Sequence, residues 1–220
     1  MCRVASSSTE LRSMISEALS IEEGGIRVKD QQLLRDRVID DLIYTAVFGE
    51  DDALKEEARS LIRSIANALG AIPASIHDLY MAMGRGETKN FTTPAINIRC
   101  LTYDTACRIF RVAMRNNVGA FIFEIAKSEI GYTYQRPSEY ASSVLAAAIK
   151  EGYTGPVFIQ GDHFQFSASS YKSDPDGELK KIQDLTKEAI EAGFYNIDID
   201  PSTLVDYSKE SLLEQQKENY

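Results

Sequence analysis

Four short runs dense in Ile, Val and Phe constrain this chain more than any other feature. Residues 94–99, 120–127, 156–163 and 195–200 have the length and composition of strands. Helical stretches at about 103–117, 138–151 and 177–192 separate them. Gly119, Gly152 and Gly193 stand where those helices stop, and Pro137 stands where one starts. Strands separated by whole helices pair in parallel through right-handed crossovers. The pattern therefore predicts an α/β fold with a parallel sheet.

Residues 1–90 read differently, as helix after helix. Ser8 or Thr9 caps a first helix through Leu19, which Gly24-Gly25 ends. From about 30 to 48 the residues Leu33, Leu34, Val38, Leu42, Ile43 and Val47 recur at helical spacing, closed by Gly49. A further helix opens on Glu50, Asp51 and Asp52, acids suited to its positive end, and stops at Gly70. Pro73 suits the first turn of another, running to about Met83. The reading is an all-α N-terminal region over 1–90, used for packing or oligomerisation, followed by an α/β unit over 91–220. The boundary falls in 84–93.

Side chains alternate across a strand, so residues two apart share a face. Ile96 and Ile98 oppose Asn97 and Arg99, and Phe121, Phe123 and Ile125 oppose Glu124. Val157 and Ile159 oppose Gln160 and Asp162, and Ile197 and Ile199 oppose Asp198 and Asp200. Each strand carries an apolar face and a face whose polar groups gather near its carboxyl end. A doubly wound sheet buries both faces under helices. A (β/α) barrel instead opens its inner face into a site at the carboxyl ends of its strands, which suits this pattern.

Charge narrows the partners. The net charge is −9, with no long basic run, which disfavours nucleic acid and anionic membranes. No run approaches the length of a membrane-spanning helix, and the N-terminus lacks the apolar core of a secretory signal. Cys2, Cys100 and Cys107 form no paired framework and read as free thiols of a reducing cytoplasm. Of the two histidines, His77 lies in a helical stretch with no evident partner. His163 follows Asp162 at a strand end, where a neutral imidazole can ligate zinc beside an acid or base.

Three stretches together resemble the class II, metal-dependent ketose-bisphosphate aldolases. Pro94-Ala95-Ile96-Asn97 is similar to that family's opening strand, in which an Asn faces the substrate. The run from Pro156 to His163 is similar to its apolar strand ending in Asp-His. The run from Phe194 to Ser202 is similar to its strand ending in Asp-x-Ser. The resemblance spans roughly 92–205. It implies Asp162 as the catalytic proton donor and acceptor, His163 as a zinc ligand, and Asp200 at a second metal position. It also implies a lyase of carbohydrate metabolism that cleaves or condenses a ketose (bis)phosphate. Asn97 would orient the substrate, and Arg99, Lys127 and Ser128 are candidates for phosphate contacts.

A full barrel of this kind needs eight strands in roughly 250 residues, and four are legible here. The expectation is the first half of a (β/α)8 barrel, with a missing C-terminal half or a homo-oligomer completing it. His163 with only Asp200 in reach falls short of the three protein ligands usual at catalytic zinc. Weak zinc binding and no aldolase activity are therefore expected of residues 1–220 alone. Gly161 before Asp-His also resembles the accessory, non-catalytic subunit of tagatose-bisphosphate aldolases, which leaves a non-enzymatic subunit as the alternative. Residues 164–177 are long for a strand-to-helix loop and could form a lid. Residues 202–220 read as the helix after the fourth strand. Dinucleotide binding fails, because no Gly-x-Gly-x-x-Gly follows the first strand.

Overall fold

The computed structural model describes residues 2–219. The N-terminal region begins with helix α1 (Ser8–Ile15), whose N-cap Ser7 accepts a hydrogen bond from the Glu10 N–H. The periodicity predicts an all-helical region, and the structure departs from that. Strands β1 (Leu19–Glu22) and β2 (Gly25–Val28) form an antiparallel hairpin about the Glu23-Gly24 turn. Gly25 sits at φ 129°, open to glycine and closed to most residues, so the Gly-Gly pair makes a hairpin and does not end a helix.

A continuous helical rod follows: α2 (Gln31–Leu33), a π turn over Leu34–Val38, and α3 (Ile39–Phe48). Helix α4 (Asp52–Ala68) comes next, with Leu54, Ala58, Leu61, Ile62 and Ile65 buried along one face. Its N-cap is Asp51, which accepts from the Leu54 N–H at 2.7 Å.

The region then contributes a strand to the main sheet. β3 (Ala71–Ala74) pairs in parallel with the later strand β6 (Gly155–Gln165), and helix α5 (His77–Gly84) begins only four residues beyond Pro73. Pro73 thus lies in a strand and not in a first helical turn. As an edge strand, paired on one side only, β3 tolerates it.

The remaining order is β4 (Ala95–Asn97), α6 (Thr102–Arg115), β5 (Ile122–Ala126), α7 (Lys127–Thr133), α8 (Pro137–Glu151), β6 (Gly155–Gln165), α9 (Ala168–Ser173), α10 (Pro175–Ala192) and β7 (Asn196–Asp200). All pairings in this sheet are parallel, and β4, β5, β6 and β7 lie side by side in chain order. β3 and β7 share one edge of the long strand β6, β3 along its start and β7 along its end. The Asn196 side chain joins them: its amide donates to the carbonyls of Ala74 and Ile159, and its Oδ1 accepts from the Ile76 N–H at 2.8 Å.

Helices α6, α8 and α10 form one layer, with α8 between the other two and also packed against α3 and α4. That placement explains why α8 is buried on nearly every side, including Tyr140, Val144, Leu145 and the run Ala146–Ala147–Ala148. One hydrophobic core extends from Ala5 to Phe194, so residues before and after position 90 share it.

The end of the chain departs from expectation. After β7 come a 3-10 turn (Ser202–Leu204), a single helical turn α11 (Leu212–Gln215) and a second 3-10 turn (Lys217–Asn219), in place of one helix. Leu212 and Leu213 of the helical turn are exposed, so burial does not reward a longer helix there. Residues 164–177 are also not an open loop. β6 runs on to Gln165, Phe164 and Phe166 are buried, and α9 fills the remainder.

Candidate metal centre at the carboxyl ends of the strands

Register places Asn97, Glu124, Gln160 and Asn196 in one row across β4, β5, β6 and β7. The adjacent row, on the opposite face, is Ile96, Phe123 and Ile159, packed into the core. Alternation read from the sequence thus gives the observed faces. Gln160 ties the polar row to the next one, its Nε2 standing 3.2 Å from Asp162 Oδ1 and 3.4 Å from Glu124 Oε2.

Regular alternation breaks at Asp162-His163. Gly161 pairs with Ile197 and Phe164 with Ile199, so two residues of β6 oppose Asp198 alone. This is a β-bulge, and it flips the register by one. Phe164 consequently points to the core, fully buried, while Gln165 joins the polar face beside Asp200. The phenyl ring folds back over Gly161, where a Cβ would lie 2.5 Å from Phe164 Cζ. Glycine at 161 is therefore a packing requirement of the bulge. His163 takes up the remaining distortion at φ 48°, a left-handed conformation that is rare outside glycine and held here by its surroundings.

The bulge throws the imidazole across the ends of β6 and β7. His163 Nδ1 lies 3.3 Å from Asp200 Oδ2 and 3.9 Å from Asp198 Oδ2, and Nε2 lies 3.4 Å from Asp162 Oδ2. The His163 backbone N–H donates to Asp198 at 3.2 Å. His163, Asp198 and Asp200 can bring one ligand atom each within 4.8 Å of the others, a group able to hold a metal ion. Donors at about 2.0–2.2 Å from one ion in tetrahedral array stand about 3.3–3.6 Å apart, close to these separations. A nitrogen with two carboxylates suits zinc and harder divalent cations alike. Asp162, on the other ring nitrogen, has the position of the carboxylate that orients a ligating histidine.

Asp200 is the anchor of the group, with a side chain only 11% exposed against 62% for His163. Burial raises its pKa, but hydrogen bonds from Ser202, Gln165 and His163 outweigh that and lower it to about 2. The Ser202 N–H donates at 2.9 Å and Gln165 Nε2 at 2.6 Å. His163 is raised by its hydrogen bond to Asp200 and by the charge of Asp162. Glu124 is raised by burial and then by Asp162. The acids and the imidazole therefore sense one another across the cluster.

The remaining expected residues are built into the structure nearby. Asn97 Nδ2 donates to Glu129 Oε2 at 2.7 Å, and Arg99 Nε donates to Glu129 Oε1 at 2.5 Å. Glu129 also accepts from the Ala126 N–H, and these contacts hold its carboxyl below the usual range despite burial. Lys127 donates to Glu178 at 2.9 Å and to the Gln165 carbonyl at 2.7 Å. Ser128 is exposed on the first turn of α7. The structure thus joins Asp162, His163 and Asp200 in one cluster, and pairs Lys127 and Arg99 with the buried carboxylates of Glu178 and Glu129.

Asp198 was missing from the expected ligands. It supplies a third donor, so the shortage inferred from the histidine count does not hold. Its signal was its place two residues before Asp200 on the same face; the bulge that brings both within reach of one imidazole is not visible in spacing. Among the described residues no helix is long and apolar enough to cross a membrane. No family model, curated protein or solved structure matches this chain.

Proposed function

We propose that this chain is a metal-dependent lyase domain of the class II aldolase type, acting on a phosphorylated ketose at the carboxyl ends of β4–β7. The parallel strands would then be the first units of a (β/α) barrel. The observation that carries this reading is the meeting of His163, Asp198 and Asp200 beside Asp162, at the bulge in β6.

A divalent cation, zinc in the first instance, would polarise the ketose carbonyl as a Lewis acid. Asp162 takes the proton from the hydroxyl of the carbon that becomes the aldehyde. The carbon–carbon bond then breaks toward the ketone side, and the same carboxyl returns a proton in the condensation direction. Asn97, fixed by Glu129, orients the substrate from the neighbouring strand. Arg99 is more than half exposed despite its ion pair and can turn one edge to a phosphate.

One observation favours the alternative, an accessory barrel subunit without turnover: Lys127 is committed to Glu178, which is 2% exposed. Calorimetric titration with Zn²⁺ and Mn²⁺, followed by a cleavage assay on fructose and tagatose bisphosphates, separates the two. Metal uptake with metal-dependent cleavage supports the lyase. Absence of uptake supports the accessory role, which calls for no metal, and uptake without cleavage of either sugar counts against both.

A further inference from the structure

Three side-chain amides stand among the acids on the polar face of β4 and β6, and a carboxylate fixes the orientation of each. Asn97 Nδ2 donates to Glu129 Oε2 at 2.7 Å. Gln160 Nε2 faces Asp162 Oδ1 at 3.2 Å and Glu124 Oε2 at 3.4 Å. Gln165 Nε2 donates to Asp200 Oδ2 at 2.6 Å. An ionised carboxylate only accepts, so turning any of these amides over would set oxygen against oxygen.

Each amide therefore turns its nitrogen to an acid and leaves its carbonyl oxygen to be satisfied. Asn97 Oδ1 is buried without a hydrogen-bond partner. Gln160 and Gln165 are half-buried, and among the described residues neither side-chain oxygen accepts a hydrogen bond. Together with the carboxylates these groups make a face of acceptors. A phosphate or other oxyanion laid on it would meet oxygen, whereas a hydroxyl would meet its complement.

We infer that Gln160 and Gln165 are specificity-determining residues, whose side-chain oxygens accept hydrogen bonds from hydroxyl groups along the carbon chain of the substrate. This role rests on the reading of the ligand as a phosphorylated ketose, and adds which of its atoms the two glutamines recognise. A hydroxyl that meets one of these oxygens replaces its hydrogen bond to water. A methylene in the same place strands the acceptor, so the deoxygenated ligand is penalised.

Calorimetric titration with two probes that cannot be cleaved tests the assignment, with Mn²⁺ in excess throughout. Mannitol bisphosphate carries hydroxyls along the chain between its terminal phosphates. Hexanediol bisphosphate has the same chain and the same phosphates without them, so phosphate and metal contributions cancel in the ratio of affinities. The native chain should bind the mannitol compound about tenfold more tightly, or better. Gln160→Met and Gln165→Met should each cut that ratio about fivefold, while affinity for the hexanediol compound stays within about twofold. A folding defect would lower both affinities together and leave the ratio unchanged. Equal affinity of the native chain for the two probes overturns the inference and leaves the phosphorylated-ketose reading in place. So does a preference that both substitutions leave intact. Failure of the native chain to bind either probe overturns that reading, and the inference with it.

Discussion

Two groups of carboxylates in this molecule obey opposite rules. Through the body of the fold the buried and half-buried acids have cations of their own: Asp41 with Arg3, Glu129 with Arg99, Glu139 with Arg59, Glu151 with Arg111, and Glu178 with Lys127. At the ends of β5, β6 and β7, Glu124, Asp162, Asp198 and Asp200 have one imidazole between them. The first arrangement holds elements together. The second gathers negative charge at one place with only partial compensation, which costs stability in the metal-free protein and suits a bound cation. The same side-chain chemistry serves as structure or as site according to whether the charges balance locally.

The largest effect should come where the two regions meet. Phe164→Ala removes the ring that seats the bulge over Gly161 and should cost about 4 kcal/mol, read from urea unfolding. A loss below about 1 kcal/mol would mean the bulge does not depend on that packing.

Next is the balanced group. Lys127→Met leaves Glu178 buried without its main cation and should cost about 3 kcal/mol at neutral pH. Glu178 is buried, which raises its pKa, but hydrogen bonds from the Ser167 N–H and Lys127 hold it below the ordinary carboxylate value. A depressed carboxylate contributes stability above its unfolded value near 4.3 and loses it as pH falls through the folded one. The gap between native and Lys127→Met should therefore close on acidification below about pH 4. A gap that stays constant to pH 3 would argue against the pairing.

The smallest effect has the more telling sign. Asp198→Asn removes one charge from the unbalanced group and should stabilise the metal-free protein by about 0.5 kcal/mol, while weakening metal binding. Destabilisation of the metal-free protein would place Asp198 with the structural acids and blur the contrast.

The contrast was only half legible in the sequence. Period-two alternation in β4 to β7 gave the faces, and it put Asn97, Glu124, Gln160, Asp162, Asp198 and Asp200 on the polar side. Local patterning could not show the bulge, because its cause is a contact between Gly161 and Phe164 that exists only once the strand is paired. Asp198 was missed as a donor for that reason. β3 was hidden in a different way. Ala71-Ile72-Pro73-Ala74 has no alternation to read, and its strand character comes from pairing with β6. Likewise Gly24-Gly25 is a stop signal for a helix and a hairpin alike, and the exposed tail has no apolar face from which to judge a helix at all. Glu129 and Glu178, each accepting three hydrogen bonds, sit on helices whose polar positions look like ordinary solvated ones until the strands are in place.

The central claim is that His163, Asp198 and Asp200 form one cation site. Its most direct measurement is calorimetric titration of the native chain with Zn²⁺ and Mn²⁺, beside His163→Ala and Asp198→Ala. The account predicts one ion per chain, bound at least tenfold more weakly in each variant. Absence of uptake by the native chain, or uptake that both substitutions leave unchanged, would contradict it.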